Sequence, residues 1–327
     1  MARLGINGFG RIGRYLVRLL AEAQELPVAI NARADNASLA HLFKYDSVHG
    51  PFRGTVTHDD DGLIINGQHV AVTRARIGEW DWAGLGVDLV VETSGAIKKR
   101  PGLAEHIARG AKKVIMSAPV SDADVTIVMG VNDGVYDPAS HDVISSASCT
   151  TNCLAPVAKV LNDVFGIEHG LMTTIHSYTM SQRLLDGSQK DIRRARAAAM
   201  SMIPTTTGAA KAVSLVLPEL KGRLDGIALR VPTPNVSIVD LTCSMKRPVS
   251  IDEVNAALRA NANEHYGVSD EPLVSVDYNG DTHGGVVDAL STAVMDGNML
   301  KVLIWYDNEA GFTNQLLRLI HMVEKSL

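Results

Sequence analysis

Asn7-Gly8-Phe9-Gly10-Arg11-Ile12-Gly13 constrains the fold more than any other stretch of this chain. It lies between Arg3-Leu4-Gly5-Ile6, which reads as a short strand, and a segment whose apolar residues (Ile12, Leu16, Leu19, Leu20) fall at helical spacing. A second strand, Val28-Ala29-Ile30, follows. A G-x-G-x-x-G run means little alone. Placed after a strand, opening a helix and followed by a second strand, it has the context that dinucleotide binding requires. Gly8 permits the tight turn, Gly10 lets the backbone approach a pyrophosphate, and Gly13 lets helix and strand pack closely. Arg11 and Ile12 would offer backbone N–H groups to the phosphates. A plain strand–turn–helix using glycine for turn chemistry is the bland alternative, and the full context disfavours it.

Up to residue 148 strands and helices alternate. Ser38–Lys44 and Leu103–Arg109 read as helices; Val87–Glu92, Lys113–Met116 and Val125–Met129 read as strands; Val56–Val72 reads as a hairpin around Asn66-Gly67. The expected fold class is α/β, a doubly wound, mostly parallel Rossmann sheet. Ligands bind beyond the carboxyl ends of such strands, where Thr93, Ser94 and Ser117 stand, although each alone is more often a turn residue.

Ser145-Ser146-Ala147-Ser148-Cys149-Thr150-Thr151-Asn152-Cys153 is the second informative stretch. The β-branched Val143-Ile144 precedes it, and apolar residues at helical spacing (Leu154, Val157, Ala158, Leu161, Val164) follow. Ser148 is expected to be the helix N-cap, with Cys149 in the first turn. There the thiol faces unpaired N–H groups and the positive end of the helix dipole, both of which favour thiolate. A lone Cys is usually a small buried hydrophobe, but small polar residues surround this one. Cys149 is therefore read as a nucleophile and Cys153, one turn on, as structural.

The remainder has another texture. Leu171–Tyr178 reads as a strand carrying His176, a residue type that is usually structural when alone. The polar stretch from Met180 to Ala198 is too long for a plain connection. Pro204-Thr205-Thr206-Thr207-Gly208 opens a helix with hydroxyls and Gly, which suits an anion. Ile227–Val231, Ser237–Met245 and Leu300–Trp305 read as strands, Ile251–Asn263 and Phe312–Glu324 as helices. A second, α+β domain is expected.

Composition limits the function classes. The chain has 327 residues, enough for two domains, and is 46% hydrophobic and 20% charged, as soluble globular proteins are. A net charge of −5 does not suggest nucleic acid as a partner. Three Cys, none in a C-x-x-C pair, argue against a disulfide framework or a Cys-rich metal site, and no metal is expected. No stretch is apolar for about 18 residues, so no membrane span is expected; with a strand at the very start, a cytoplasmic enzyme is the expectation.

Gly5–Arg14, Ala147–Pro156, His176, Arg193-Arg194-Ala195-Arg196, Pro204–Gly208 and Trp305-Tyr306-Asp307-Asn308-Glu309 together resemble the phosphorylating glyceraldehyde-3-phosphate dehydrogenase family, from the first strand to the last helix. The resemblance implies a dinucleotide-binding domain at 1–148, completed by a C-terminal helix at 309–327, and a catalytic domain at 149–308. It implies that Cys149 attacks the aldehyde, that His176 lowers the thiol pKa and serves as general base and acid, and that a thioester is then cleaved by inorganic phosphate. The Cys149 N–H and the His176 ring would stabilise the oxyanion. Thr179, Arg194 and Arg230 would hold the substrate phosphate; Ser148, Thr150, Thr207 and Gly208 would hold the attacking phosphate; Asn308 would orient the nicotinamide carboxamide. Asn7 belongs to the cofactor-binding run. A homotetramer is implied, with the polar loop near residues 180–200 lining a neighbour's cofactor site.

Three positions depart from the NAD-type pattern: Asn31-Ala32-Arg33 where Asn-Asp is usual, Gly187-Ser188 where Leu-Pro is common, and Ser181 where Asp is usual. Ala32 removes an acid that would accept from ribose hydroxyls and repel a 2′-phosphate. Arg33, Ser188 and Arg76 are candidate 2′-phosphate partners, with Asp35 close enough to blunt Arg33. NADP is expected to be preferred, with NAD accepted. Two other functions stay open: a dehydrogenase for a longer phosphorylated aldehyde such as erythrose 4-phosphate, and a nucleotide-binding protein of this fold with a non-catalytic role.

Overall fold

The computed structural model describes residues 2–327. The chain forms two compact units: one comprises residues up to Ile127, Asp133–Ala147 and Leu316–Leu327, the other Val128–Asn132 and Ser148–Gln315.

The first unit runs β1 (Leu4–Asn7), α1 (Arg11–Glu22), β2 (Ala29–Asn31), α2 (Asn36–Lys44), β3 (Val56–His58), β4 (Gly62–Ile65), β5 (Gln68–Thr73), β6 (Leu89–Glu92), α3 (Arg100–Ala108), β7 (Lys113–Met116), β8 (Val125–Thr126) and β9 (Val143–Ser145). Its sheet has the order β3-β4-β5-β2-β1-β6-β7-β9-β8. From β5 to β8 every pairing is parallel, and only the β3–β4 and β4–β5 pairings are antiparallel. Strands β1, β2, β6, β7 and β9 are buried at every position, as strands covered on both faces must be. The hairpin turn falls at Asn66-Gly67, both with positive φ (50° and 81°), the backbone of a two-residue turn that follows strand twist. After β5 the chain crosses to the other side of β1 to form β6, so the crevice for a ligand opens where β1 meets β6. The strand expected over Val125–Met129 is only two residues long, because its partner β9 ends at Ser145, opposite Thr126.

The second unit contains α4 (Cys149–Phe165), β10 (Ile167–Ser177), β11 (Ile203–Thr206), α5 (Ala209–Val216), β12 (Leu224–Val231), β13 (Ser237–Met245), α6 (Ile251–Ala260), β14 (Tyr266–Ser269), β15 (Gly285–Met295), β16 (Met299–Tyr306) and the start of α7 (Ala310–Glu324). Its mixed sheet runs β11-β12-β10-β13-β16-β15-β14, and α4 packs across β10, β13, β16 and β15. The sequence reading misses β14 and β15. A register shift between Asp288 and Ala293 breaks the alternation that marks a strand. It also reads Ile203–Thr206 only as a lead-in to a helix, whereas these residues form an edge strand, the one place where Pro204 is tolerated.

Candidate active site

Cys149 is the first residue of α4, as its sequence context predicts. Ala147 sits just before, in the left-handed region (φ 59°), which turns the chain sharply into the helix. Ser148 caps it. Its side chain accepts the Thr151 N–H at 3.0 Å and lies 2.7 Å from the Thr151 hydroxyl.

His176 stands at the end of β10, and its Nε2 lies 3.5 Å from Cys149 Sγ. Arg230 is its register partner on the parallel strand β12. Nδ1 of His176 has two neighbours, the Ser177 carbonyl at 2.7 Å and Arg230 Nη1 at 2.6 Å, and the same Nη1 donates to that carbonyl at 2.9 Å. Nδ1 can serve one neighbour at a time. Protonated, it donates to Ser177, and Nε2 turns a lone pair to the sulfur. Deprotonated, it accepts from Arg230, and Nε2–H turns a proton to the sulfur. One ring can thus act as base and as acid.

The electrostatics differ from the sequence expectation. Burial first, then the Arg230 charge, lowers the His176 pKa to about 3, so the ring is neutral. Burial pushes the Cys149 thiol up. Arg230, the Thr150 hydroxyl and the N–H groups of Thr150 and Cys149 pull it down without cancelling that rise. The expected lowering of the thiol pKa by His176 and the helix end is therefore corrected for the free protein. A neutral imidazole carries no charge to stabilise a thiolate, and the strongest downward pull comes from Arg230.

Three hydroxyls brace this centre. Tyr306 Oη lies 2.9 Å from Thr150 Oγ1 and 2.8 Å from Thr174 Oγ1, and its ring meets His176 edge-on. Asn308 follows closely in sequence. Its Oδ1 accepts from the Ser177 hydroxyl at 2.7 Å and the Ser237 hydroxyl at 2.9 Å. That fixes the amide so that its NH₂ is the end left for a ligand acceptor such as a carboxamide oxygen. Sequence reading alone does not single out Ser177, Ser237 and Tyr306 for these roles.

Among the anion candidates, Arg230 and Arg194 are close enough to repel electrostatically, which suits a shared anion. Arg194 Nε donates to Thr205 Oγ1 at 2.9 Å. The others have local partners. Thr179 Oγ1 lies 2.9 Å from Ser181 Oγ, Thr207 Oγ1 accepts the Ala209 N–H at 3.1 Å, and Gly208 is the N-cap of α5.

In the first unit Gly8 has φ 103°, and a Cβ there would overlap the Ser94 backbone. A Cβ on Gly13 would overlap Gly8 O. A Cβ on Gly10 would meet nothing within 4 Å, leaving room for a phosphate against Arg11 and Ile12 at the uncapped head of α1. The Arg11 side chain forms a bidentate pair with Asp46. Burial raises the Asp46 pKa, but Arg11 and the N–H groups of His49 and Val48 outweigh it and hold this carboxyl well below its usual range. Asn7, expected in the cofactor-binding run, turns its side chain inward to Glu92. The Thr93 hydroxyl donates to Gly8 O at 2.8 Å, Ser94 Oγ accepts the Ala96 N–H at 3.1 Å, and the Ser117 hydroxyl donates to Glu92 O at 2.9 Å.

At the end of β2, Asp35 caps α2 through the Ser38 N–H (2.8 Å) and hydroxyl (2.7 Å), so it is spent on the helix and not on Arg33. No side-chain partner for Arg33 or Arg76 occurs among the described residues, whereas Arg74, which the sequence reading passes over, bonds Ala34 O at 3.0 Å and Asn36 Oδ1 at 2.7 Å. Ser188 lies in the 180–202 loop, its carbonyl held by Arg183 at 2.8 Å.

The chain is similar to known proteins over nearly its whole length. Residues 2–100 match the family description "Glyceraldehyde 3-phosphate dehydrogenase, NAD binding domain", and residues 148–308 match "Glyceraldehyde 3-phosphate dehydrogenase, C-terminal domain". The chain is 56% identical to a glyceraldehyde-3-phosphate dehydrogenase of Geobacillus stearothermophilus (97% of this chain, 96% of that protein). It is 55% identical to glyceraldehyde-3-phosphate dehydrogenase 1 of Bacillus subtilis (99% and 98%), and 49% identical to the Mycobacterium avium enzyme (99% of each). The chain belongs to the glyceraldehyde-3-phosphate dehydrogenase family.

Proposed function

We propose that this protein reversibly oxidises glyceraldehyde 3-phosphate to 1,3-bisphosphoglycerate, with NADP or NAD and inorganic phosphate, as a cytoplasmic homotetramer. The observation that carries the reading is the convergence of Cys149 Sγ, the buried His176 ring and the Arg230 guanidinium in one centre. His176 Nε2 takes the thiol proton as sulfur attacks the aldehyde carbon, then returns it to the carbonyl oxygen, giving a hemithioacetal. The same nitrogen removes that hydroxyl proton as the carbon is oxidised to a thioester. Nicotinamide, when bound, supplies the hydride acceptor. Phosphate oxygen then attacks the thioester carbon and the Cys149 thiolate leaves. Arg230 and Arg194 hold the substrate phosphate with Thr179, while Ser148, Thr150, Thr207 and Gly208 receive the attacking one. Asn308 donates its fixed NH₂ to the nicotinamide carboxamide.

NADP use is supported by the uncharged Ala32, by Arg33 and Arg76 with no side-chain partner among the described residues, and by Asp35 being engaged at α2. Ser188 would add a hydroxyl. Self-association is supported by apolar side chains left in solvent along the 180–202 loop and the sheet: Met180, Leu185, Ile192, Met202, Leu171 and Ile227.

The test is aldehyde oxidation with and without phosphate, using NADP and NAD, in the parent and in Ala32→Asp. Turnover should require phosphate, and NADP should be favoured until Ala32→Asp restores NAD. Phosphate-independent turnover would remove the acyl-phosphate reading. An NAD preference of about tenfold or more that Ala32→Asp does not move would remove the NADP reading.

A further inference from the structure

The buried carboxylate of Glu92, at the end of β6, gathers three donors. Asn7 Nδ2 and His106 Nε2 (3.1 Å) bond its Oε2, and the Ser94 N–H donates to its Oε1 at 2.6 Å. Glu92 and His106 are both 0% exposed. No lysine or arginine is among these partners. A carboxylate buried without a fixed cation is costly, and an apolar or neutral residue would pack the core more cheaply. Something must require a pure acceptor at this point.

Hydrogen-bond polarity supplies the reason. Trp82 Nε1 can only donate, and it donates to His106 Nδ1 at 2.9 Å, so the ring proton is on Nε2 and points at Glu92. Trp80 stacks on that ring at 3.9 Å and holds it flat. On the other side the carboxylate forces Asn7 to present its NH₂, which leaves Asn7 Oδ1 to accept from Asn31 Nδ2 at 2.7 Å. Asn31 Oδ1 must then accept, and it does, from the Thr73 hydroxyl at 2.9 Å and the Ala75 N–H at 2.8 Å. The opposite polarity is blocked, because the Ala75 backbone N–H can only donate.

Glu92, Asn7, Asn31 and Thr73 are register partners in one row across β6, β1, β2 and β5. Each is the last residue of its strand. The segments that begin one residue later are Thr93-Ser94, the Gly8 turn, Ala32-Arg33 and Arg74–Arg76. These are the carboxyl-end loops at which a dinucleotide is received in this kind of sheet.

The geometry points to Glu92 as a positioning residue for the dinucleotide: by supplying the acceptor on which the Asn7–Asn31–Thr73 relay must end, it holds the four loops in cofactor-binding register. This rests on the reading of the first unit as the cofactor-binding unit.

Glu92→Gln is nearly isosteric. It must set an NH₂ against Ser94 N–H, or against Asn7 and His106, and the relay cannot invert to absorb it. The whole enzyme is titrated with NAD and with ADP-ribose, with folding checked by circular dichroism and kcat read at saturating cofactor. Both dissociation constants should rise by roughly tenfold, the expected effect of one unsatisfied buried donor, while kcat changes by less than about threefold. A purely structural role would lower the melting temperature and leave the dissociation constants within about twofold; that result overturns the inference. If Glu92→Gln does not fold, Thr73→Val removes the donor at the relay's far end, and a rise of about three- to fivefold is expected; an unchanged constant there overturns it equally. A parent enzyme that bound neither probe would instead overturn the cofactor reading itself.

Discussion

Two strand-to-helix turns use the same physical device for opposite ends. Both bring a helix N-terminus to the carboxyl end of a strand, one from β1 into α1, the other from β9 into α4. At Gly10 the helix is left open: no side chain caps it, no acid sits in its first turn, and a Cβ would find only free space. At Ser148 it is closed: the hydroxyl fills the cap, and the backbone enters through the strained Ala147. An open end leaves its N–H groups for a ligand's phosphate. A closed end turns its field on a side chain of its own, here Cys149. The closed turn also shows the limit of the device. A helix N-terminus is worth roughly 0.3–2 kcal/mol, about one pKa unit. Desolvation can move a group by more than that, up to about 3–5 units when burial is complete. Burial therefore wins at Cys149, and a charge such as Arg230 is needed to work against it.

The largest expected effect separates the end of α4 from its body. Cys149→Ser should lower aldehyde oxidation by more than about a thousandfold, since a hydroxyl at neutral pH is a far weaker nucleophile and an ester a poorer acyl donor. Cys153, one turn on, is fully buried with its sulfur against Ile304 O at 3.7 Å, an acceptor that a serine hydroxyl can use. Cys153→Ser should keep at least about a third of the activity. Steady-state rates at saturating substrates decide the matter. Equal inactivity of the two variants would mean that the helix end is not what sets Cys149 apart.

Both turns were legible in the sequence because their requirements are local. Gly8, Gly10 and Gly13, or Ser148 and Cys149, specify a strand-to-helix turn within a few residues of each other. What acts on them was not legible. Arg230 reaches His176 across 54 residues and Tyr306 reaches Thr150 across 156, through sheet register that no local pattern encodes. The same holds for Ser177 and Ser237, which orient Asn308, and for Asp35, whose use as a cap is visible only once α2 is in place. β15 escaped for a different reason, since its register shift breaks the period-two signal within the strand itself. The fold class and the place of Cys149 at a helix start thus follow from short-range chemistry, while the electrostatics around it follow from long-range pairing.

A second pair of variants sharpens the contrast at the open turn. Gly8→Ala puts a Cβ at φ 103° and into the Ser94 backbone. It should destabilise the protein by about 2–4 kcal/mol in denaturant unfolding. Gly10→Ala meets no protein atom, so unfolding should change by less than about 1 kcal/mol. Its methyl group occupies the space read here as the pyrophosphate's, so the cofactor dissociation constant should rise about tenfold. If Gly10→Ala weakened folding and left binding alone, the turn would be a structural one and the contrast with Ser148 would vanish.

The smallest effect is expected at the closed turn. Ser148→Ala removes the acceptor for the Thr151 N–H and leaves the first turn of α4 uncapped. The expected cost is about 1 kcal/mol, read from denaturant midpoints at constant slope. Ser148→Asp keeps a capping oxygen and should recover most of that loss, because aspartate caps as well as serine. It also places a negative charge one residue before Cys149, which opposes thiolate formation and should move the thiol titration further up, read by alkylation rate against pH. Stability and titration would then part company: Ser148→Ala lowers the first, Ser148→Asp raises the second. If Ser148→Ala were as stable as the parent, the hydroxyl would not be closing the helix, and the two turns would differ in sequence alone.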